Sequence, residues 1–262
     1  MPSPTITLTT DFGLADHFVG VMKGVILGIA PTARIVDLSH EITPFAVTEG
    51  AFVIAQAWAH FPKKSVHVVV VDPGVGSARR PILIEAGGHY FLGPDNGVLS
   101  MVYGKLLHKA RHVTASRYFL PAVSRTFHGR DVFAPVAAHL ARGTPPARFG
   151  KLIEDHLRVQ FAAPERTGHR VWCGTVLKVD RFGNLITNFH VQDFPTVRTR
   201  PRILVAGVGK VERLVENYAE GGAGEVVMIE GSSGYLEVAV NQGSASKLLG
   251  CGVGSPMELS IY

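Results

Sequence analysis

The stretch "SVHVVVVDPGVGSARRP", residues 65–81, decides the fold of the first half of this chain. Residues 66–71 form a nearly unbroken apolar run, without the alternation of a strand that has one face in solvent. Such a run predicts a strand buried on both faces, in a sheet covered by helices. The run ends on Asp72, and a Pro-Gly-x-Gly turn then leads to Arg79 and Arg80. A carboxylate at the end of so buried a strand, close to two guanidiniums, makes this turn a candidate site.

Strands and helices alternate on both sides of this stretch. Apolar spacing and turn residues predict the following elements: strands at 5–10 and 33–38, helices at 16–30, 47–60 and 131–143, and a hairpin at 81–93. This order predicts an α/β domain with a largely parallel sheet flanked by helices.

The pattern changes after residue 143. Residues 144–169 are Pro-rich and polar, which predicts a linker, and from Val171 onward short strands are separated by glycines. That spacing is typical of a small barrel or sandwich. We therefore predict an N-terminal α/β domain, residues 1–165, and a smaller all-β domain, residues 166–262.

Composition limits the classes of function. The 262 residues are 46% hydrophobic, yet no apolar run reaches the roughly 18 residues of a membrane helix. The start of the chain lacks the basic and apolar segments of a secretory signal, so we expect a cytoplasmic protein. Cys173 and Cys251 form no CxxC motif, which argues against a disulfide framework or cysteine zinc site. The net charge of +5 is scattered, which favours a basic surface over a nucleic-acid site. We expect no metal, cofactor, nucleic-acid partner or membrane partner.

Two acidic residues follow the first predicted strand in "TTDFGLAD". Asp11 lies just past that strand, and Asp16 opens the next predicted helix. Ligands of α/β sheets bind beyond the carboxyl ends of strands, where a carboxylate can hold ribose hydroxyls. The alternative for Asp16 is a helix N-cap.

Asp72 also follows a strand, and "TFHGRDVF" places His128 just before a predicted helix. The turn after Asp72 completes neither a dinucleotide fingerprint nor a P-loop. From position alone, Asp72 and Arg79 are either functional or a buried pair that holds the turn together. His128 alone is more often structural, and Arg130 and Asp131 either pair or cap the helix.

The second half contains two polar clusters. "DRFGN" offers an anion, a ring and an amide in Asp180, Phe182 and Asn184, which suit an amino group and a purine; its alternative is an ordinary turn. "EGSSGYLEVAVNQGSAS" contains Ser232, Asn241 and Gln242 in glycine-flanked loops, whose amides can bind a carboxylate or a purine edge.

Six motifs together make the chain recognisable: "TTDFGxxD", "IVDLSHEITP", "VVDPGVGSxRR", "LGPDNG", "TFHGRD" and "DRFGNLITN". In this order they resemble the S-adenosyl-L-methionine (SAM) hydroxide adenosyltransferases, the hydrolase relatives of fluorinases and chlorinases. The resemblance spans nearly the whole chain. It implies an α/β domain, a C-terminal β-barrel domain and a homotrimer whose sites lie between neighbouring subunits. The implied reaction converts SAM and water to adenosine and L-methionine, with no cofactor.

The resemblance also implies roles for individual residues. The implied catalytic set is Asp72, Arg79 and His128. The implied substrate contacts are Asp11 and Phe45 at the ribose, Asp16, Asp180 and Ser232 at the methionine end, and Phe182, Asn184, Asn241 and Gln242 at the adenine.

Departures from the fluorinases indicate water as the nucleophile. Fluorinases have a tyrosine where this chain has Asp72, a serine at Gly129, and an extra loop that is missing here. A carboxylate facing the nucleophile would repel a halide. We therefore predict a SAM hydrolase in which Arg79 orients Asp72, and Asp72 and His128 hold the water; which of the two takes the proton stays open. The alternatives are a SAM- or adenosine-binding protein with vestigial turnover and, less favoured, a chlorinase-like halogenase.

Overall fold

The structure is a computed structural model that describes residues 4–104, 106–161, 163–198, 201–205 and 209–262. The chain divides into two compact units, residues 1–159 and 160–262. The sequence places the domain boundary at residues 165/166. The two units are called the N-terminal unit and the C-terminal unit below.

The N-terminal unit contains one mixed sheet with helices around it. Its strands are β1 (Thr5–Thr10), β2 (Arg34–Ser39), β3 (Val66–Val70), β4 (Pro81–Ala86), β5 (His89–Pro94), β6 (His108–His112) and β7 (Leu152–Ile153). Its helices are α1 (Phe18–Ile29), α2 (Val47–Ala57), α3 (Ser100–Tyr103) and α4 (Ala134–Ala141). The strand order is β2-β1-β3-β5-β4-β6-β7. β2, β1, β3 and β5 run parallel, whereas β4, β6 and β7 extend the sheet by antiparallel pairing.

Strand β3 is buried on both faces, as its sequence predicts. Val66, Val68 and Val70 belong to one core cluster, which α1 and α4 share. Val69 and Val71 point into a second cluster, which includes side chains of α2 and α3. The two clusters cover opposite faces because successive side chains of a strand alternate. This arrangement leaves the carboxyl end of β3, where Asp72 follows, as the opening for a site.

The helices differ from the predicted ones at their ends. α1 begins at Phe18, and its N-cap residue is His17 rather than Asp16, so the interpretation of Asp16 as a helix cap is wrong. The helix predicted at 131–143 is a π-helical turn, Gly129–Phe133, that continues as α4. Pro135 lies in the first turn of α4, and Asp131 O, the carbonyl four residues earlier, accepts from Leu120 N at 2.9 Å instead.

The segment predicted as a linker is partly built into the N-terminal unit. Strand β7 pairs with β6 at the edge of the sheet, and His156 is buried. The Pro-rich composition gave no indication of these contacts, because they depend on distant partners rather than on local propensity.

The C-terminal unit is a curled, half-barrel sheet of short strands. The strands are β8 (Glu165–Gly168), β9 (Val171–Val179), β10 (Leu185–His190), β11 (Pro201–Val205), β12 (Gly209–Val211), β13 (Leu214–Val215), β14 (Val226–Glu230), β15 (Tyr235–Val240) and β16 (Pro256–Ile261). Their order is β12-β11-β16-β9-β10-β15-β14-β13, with β8 beside β9, and one short helix, α5 (Ala245–Leu249), follows β15. The predicted class, an α/β domain followed by a β-barrel domain, is confirmed at this level.

Candidate active site

The loop after β3, residues 72–79, is held in one shape by its glycines and by its own backbone. Val75 N donates to Asp72 O at 3.2 Å, and Ser77 N donates to Gly74 O at 3.1 Å. Gly76 has φ +77°, and a Cβ there would lie 2.2 Å from Arg125 O. Only glycine fits this close approach. The loop therefore packs directly against the segment that leads to His128.

Asp72, Arg79 and His128 meet at this loop. Arg79 Nε donates to Asp72 Oδ1 at 3.0 Å, and Arg79 Nη2 donates to Asp72 Oδ2. The same Nη2 donates to His128 Nδ1 at 2.8 Å. The side chains of Asp72 and Arg79 are only 4% and 8% exposed. A bidentate guanidinium–carboxylate pair in such a buried place has a fixed geometry.

The Arg79 contact sets the protonation of His128. A guanidinium N–H can only donate, so His128 Nδ1 accepts, and the ring proton of the neutral imidazole lies on Nε2. Burial, followed by the positive charge of Arg79, lowers the pKa of His128 from its usual value of 6.5. His128 is therefore neutral at pH 7.

One donor of this cluster has no partner. Arg79 Nη1 is buried and makes no hydrogen bond to the described residues. An unpaired buried donor costs about 1–3 kcal/mol, so such a group is expected to find a partner in use. The Arg79 guanidinium also lies 5.6 Å from the centre of the Phe133 ring, on the π-helical turn. The cluster thus presents an unused N–H in a charge-balanced, mostly buried environment.

Asp11 and Phe45 are brought together, although they are far apart in sequence. Phe45 N donates to Asp11 Oδ2 at 2.9 Å, and Phe45 has φ +69°, a conformation rarely adopted by non-glycine residues. Phe45 as a whole is 70% exposed. Phe12, next to Asp11, packs against Phe127 with ring centres 5.9 Å apart, so the loop after β1 adjoins the segment of His128. Asp16 lies exposed beyond this loop.

The structure distinguishes the two alternatives for Arg130 and Asp131, an ion pair or a helix cap. Arg130 Nε donates to Asp131 Oδ1 at 2.5 Å, and Asp131 Oδ2 accepts from Ser124 N at 2.8 Å. The two residues therefore pair, and the pair supports the chain that precedes His128.

In the C-terminal unit, Asp180 organises the turn between β9 and β10. Its Oδ1 accepts from Phe182 N at 2.9 Å and Asn184 N at 2.8 Å, and its Oδ2 accepts from Asn184 Nδ2 at 2.9 Å. Asn184 is buried, whereas Phe182 is 77% exposed. Gly183 adopts φ +88°, and a Cβ there would collide with Ser244. The predicted turn is real, and it leaves the aromatic ring of Phe182 open to solvent.

The remaining predicted residues of this unit lie in two loops. Asn241 Nδ2 donates to Gly221 O at 2.8 Å, and Gln242 has φ +54°. Ser232 is exposed in the turn between β14 and β15. The side-chain amide of Asn241 thus anchors a neighbouring loop, which leaves the loop's backbone groups as the candidates for ligand contact.

A buried acid in the C-terminal unit was not identified from the sequence. Glu237 lies in the middle of β15, is 6% exposed and accepts a hydrogen bond from Tyr218 Oη at 3.1 Å. Burial raises the pKa of Glu237, and burial together with the charges of Glu237 and Asp180 raises the pKa of Tyr218 to about 12. The available signal was a glutamate inside the apolar strand "YLEVAV".

Among the described residues, no group of three or more His, Cys, Asp or Glu side chains is arranged to hold a metal ion. No described helix is long and apolar enough to cross a membrane. The expected absence of a metal and a cofactor stays a prediction.

Comparisons with known proteins cover both units. Residues 6–150 match the SAM hydroxide adenosyltransferase N-terminal domain, and residues 174–258 match the corresponding C-terminal domain. An (R)-S-adenosyl-L-methionine hydrolase of Salinispora tropica is 39% identical, over 99% of this chain and 98% of the relative. A protein of the same name from Methanocaldococcus jannaschii is 38% identical, over 93% and 91%.

A fluorinase of an Actinoplanes species is a more distant relative, 30% identical over 91% of each chain. Among solved structures, an uncharacterized conserved protein from Thermotoga maritima superposes with a TM-score of 0.91. It is 36% identical, and the match covers 97% of this chain and 99% of that one.

Proposed function

Since this chain belongs to the SAM hydroxide adenosyltransferase family, we propose that it hydrolyses S-adenosyl-L-methionine to adenosine and L-methionine. The observation that carries the proposal is the Asp72–Arg79–His128 cluster at the carboxyl end of a buried parallel strand, in which Arg79 Nη1 has no partner among the described residues. Ligands of open α/β sheets bind at such ends.

The reaction needs an activated nucleophile and little else. Water attacks C5′ of SAM, the C5′–S bond breaks, and methionine leaves as a neutral thioether. The leaving group therefore needs no acid. SAM and water yield adenosine, L-methionine and one proton. Neutral water is a poor nucleophile, so the protein must take its proton or stabilise hydroxide.

The cluster is suited to an oxygen nucleophile that becomes negative. Arg79 Nη1 and His128 Nε2 are both donors, and donors stabilise a developing hydroxide. Asp72 balances the arginine charge and keeps lone pairs for the departing proton. When the anionic nucleophile meets the sulfonium cation, charge is neutralised, and a poorly hydrated site favours such a step.

Substrate contacts are proposed from the resemblance to the family, and the geometry of Asp11 supports one of them. Asp11 Oδ2 is fixed by Phe45 N, which leaves Asp11 Oδ1 for ribose hydroxyls, beside the exposed Phe45 ring. Phe182 and Asn184, with the backbone at Asn241 and Gln242, are proposed to meet the adenine. Asp16, Asp180 and Ser232 are proposed to meet the methionine end.

Two alternative activities predict different products. A SAM- or adenosine-binding protein would keep the pocket without useful turnover. A halogenase would yield a 5′-halogenated nucleoside, and pairing with Arg79 weakens the repulsion that Asp72 would exert on a halide. Chloride is therefore part of the test.

The test is incubation of the purified protein with SAM, with and without chloride, followed by chromatography of adenosine and methionine. Variants Asp72→Ala and Glu85→Gln run beside the wild type; Glu85 pairs with Arg111 elsewhere in the same sheet. Adenosine from wild type and Glu85→Gln, but not from Asp72→Ala, is the expected result. Bound SAM without product would make this a binding protein, and a chlorinated nucleoside would make it a halogenase.

A homotrimer with sites shared between subunits is proposed from the family alone. A cytoplasmic location is proposed from the cysteine usage, since Cys173 and Cys251 form no CxxC motif. Light scattering measures the assembly. Mixing an Arg79→Ala protein with an Asp180→Ala protein tests the shared site, because subunit exchange would restore activity only if each site takes residues from two chains. No restoration despite exchange would place the whole site within one chain.

A further inference from the structure

The motif "LGPDNG", residues 92–97, touches both ends of the loop that carries Asp72 and Arg79. We propose that Asn96 and the Arg80–Asp95 ion pair are positioning residues, which clamp the two ends of the 72–79 loop and so fix the Asp72–Arg79 pair. This inference rests on the proposed function, because it names the residues that position the groups proposed to act on the nucleophile. We call these three side chains the loop clamp.

Asn96 holds the beginning of the loop. Its Nδ2 donates to Val71 O at 2.8 Å, which is the carbonyl of the peptide that joins Val71 to Asp72. Its Oδ1 accepts from Val98 N at 3.1 Å, which fixes the orientation of the amide. The backbone from which Asp72 projects is thus tied by a part-buried side chain with both ends in use.

Asp95 and Arg80 hold the end of the loop. Arg80 Nε and Nη2 donate to Asp95 Oδ2 at 3.0 and 2.7 Å, and Asp95 N donates to Arg80 O at 2.8 Å. The Asp95 side chain is 5% exposed. Because Arg80 directly follows Arg79, this pair fixes the backbone from which the Arg79 side chain leaves.

The sheet order explains why one short motif reaches both ends. Strand β5 lies between β3, which leads into the loop, and β4, which the loop enters. The residues just after β5 therefore lie between the two ends of the loop. Gly93 allows the approach, because a Cβ there would lie 2.7 Å from Val69 O.

The clamp also has an outer contact that serves as an internal comparison. Arg80 Nη1 donates to both carboxylate oxygens of Asp155, at 2.9 and 3.0 Å, but the Asp155 side chain is 77% exposed. An exposed ion pair contributes little. Removing Asp155 leaves the buried Arg80–Asp95 pair in place, so Asp155→Ala is expected to leave turnover near that of the wild type.

Misplacement of reacting groups lowers the rate of the chemical step rather than the affinity for the substrate. A shift of about 1 Å at the reacting groups can cost about 10²-fold in rate. Asn96→Asp keeps the size and the Val98 contact but loses the donor to Val71 O. Asp95→Asn keeps an acceptor but loses the charge opposite Arg80. Each is expected to lower kcat about tenfold or more, with KM for SAM within about twofold.

The experiment measures kcat and KM for wild type, Asn96→Asp, Asp95→Asn and Arg80→Lys, with Asp155→Ala and Glu85→Gln as controls. Thermal unfolding of each variant is recorded, and activity is assayed well below the lowest transition. Arg80→Lys keeps the charge opposite Asp95 and should retain more activity than Asp95→Asn. NMR titration of the His128 ring supplies a readout that needs no turnover. If the clamp holds Arg79 beside His128, loosening it raises the pKa of His128 toward 6.5.

The outcomes separate the clamp from the proposed reaction. Lower kcat with nearly constant KM and a raised His128 pKa in both Asn96→Asp and Asp95→Asn supports the clamp. Lower thermal stability alone, with kcat and the His128 titration unchanged, would overturn it and leave these residues structural. If the wild type lacks SAM turnover, the proposed function fails, and the His128 titration still decides whether the clamp positions Arg79.

Discussion

Asp72 in the N-terminal unit and Asp180 in the C-terminal unit both follow a strand, yet the two carboxylates have different partners. Asp72 accepts from the guanidinium of Arg79, which in turn contacts His128. Asp180 accepts from the backbone and side chain of its own turn. The first arrangement joins groups that can act on a nucleophile. The second shapes a loop and presents an exposed ring.

The comparison shows that a residue with a structural role can also be a candidate for a functional one. Asp72 and Arg79 are indeed a buried pair that holds a turn, which was the structural alternative from the sequence. They become a candidate for chemistry because Arg79 retains a buried N–H without a partner among the described residues. At Asp180 the local turn is complete, so its proposed contribution is recognition of the substrate.

The largest expected effect follows from removing Arg79, the central residue of the Asp72–Arg79–His128 cluster. Arg79→Ala deletes the partner of both Asp72 and His128, and kcat is expected to fall about 10²- to 10⁴-fold. Steady-state kinetics on a variant shown to be folded by circular dichroism measures this. The Arg79→Lys variant keeps the charge without the bidentate geometry, so its kcat should lie between those of the wild type and Arg79→Ala. Near-normal turnover in folded Arg79→Ala would remove the cluster from the mechanism.

The pH dependence of turnover tests the same cluster without mutation. The pKa of His128 is lowered, so the ring is neutral at pH 7 and gains a proton only below 6.5. Protonated His128 cannot accept from Arg79 and places two cations side by side. We therefore expect kcat to fall with acidification, about tenfold per pH unit below that pKa.

A pH–rate profile of the His139→Asn variant is the control for this prediction. His139 on α4 also has a lowered pKa from burial, but it packs against Tyr118. Its variant should keep the wild-type profile. A wild-type profile that shows no acidic fall in kcat at any pH above the acid unfolding of the protein would contradict the role of neutral His128.

The recognition role of the second region predicts a smaller effect, on KM. Phe182→Ala removes an exposed ring proposed to stack on adenine, and stacking contributes about 1–3 kcal/mol per base. KM for SAM should rise about tenfold with kcat nearly unchanged. Thermal stability should stay the same, because Phe182 is 77% exposed. Val253→Ala, at another exposed apolar side chain of this unit, is the control; equal KM values for both variants would argue against stacking.

The smallest expected effect concerns the buried acid of the second region. Burial raises the pKa of Glu237 above 4.5, so its ionised form at neutral pH carries a cost in the folded protein that the unfolded chain avoids. Glu237→Gln removes that cost and keeps an acceptor for Tyr218. We expect unfolding at pH 8 to shift upward by about 2 °C, with the gain disappearing near pH 4. A lower transition temperature at pH 8 would show that the carboxylate has a favourable partner.

Parts of the candidate site could be predicted from sequence, and others could not. The positions of Asp11 and Asp72 beyond strand ends followed from the predicted strands "TITLTT" and "VHVVVV", each of which stops at a carboxylate. The turn at Asp180 followed from the turn-forming residues of "DRFGN" between two predicted strands. Asn96 and Asp95 belong to the motif "LGPDNG", but the sequence did not predict their role. Their contacts with Val71 and Arg80 arise from the order of strands in the sheet. Glu237 was overlooked because a single acid in a strand does not reveal whether it faces solvent.

The sequence by itself determined the two fold classes, the double burial of β3 and the six motifs that indicate the family. These properties depend on local periodicity and on residue identity, which the chain carries wherever it folds. Only the tertiary structure decided that Arg79 joins Asp72 to His128, that its Nη1 has no partner in the described part of the chain, and that "LGPDNG" reaches both ends of the loop. These contacts join residues from distant parts of the chain, and packing of the sheet and its helices sets their distances. Hydrogen bonds and charges depend on those distances, so local sequence cannot specify them.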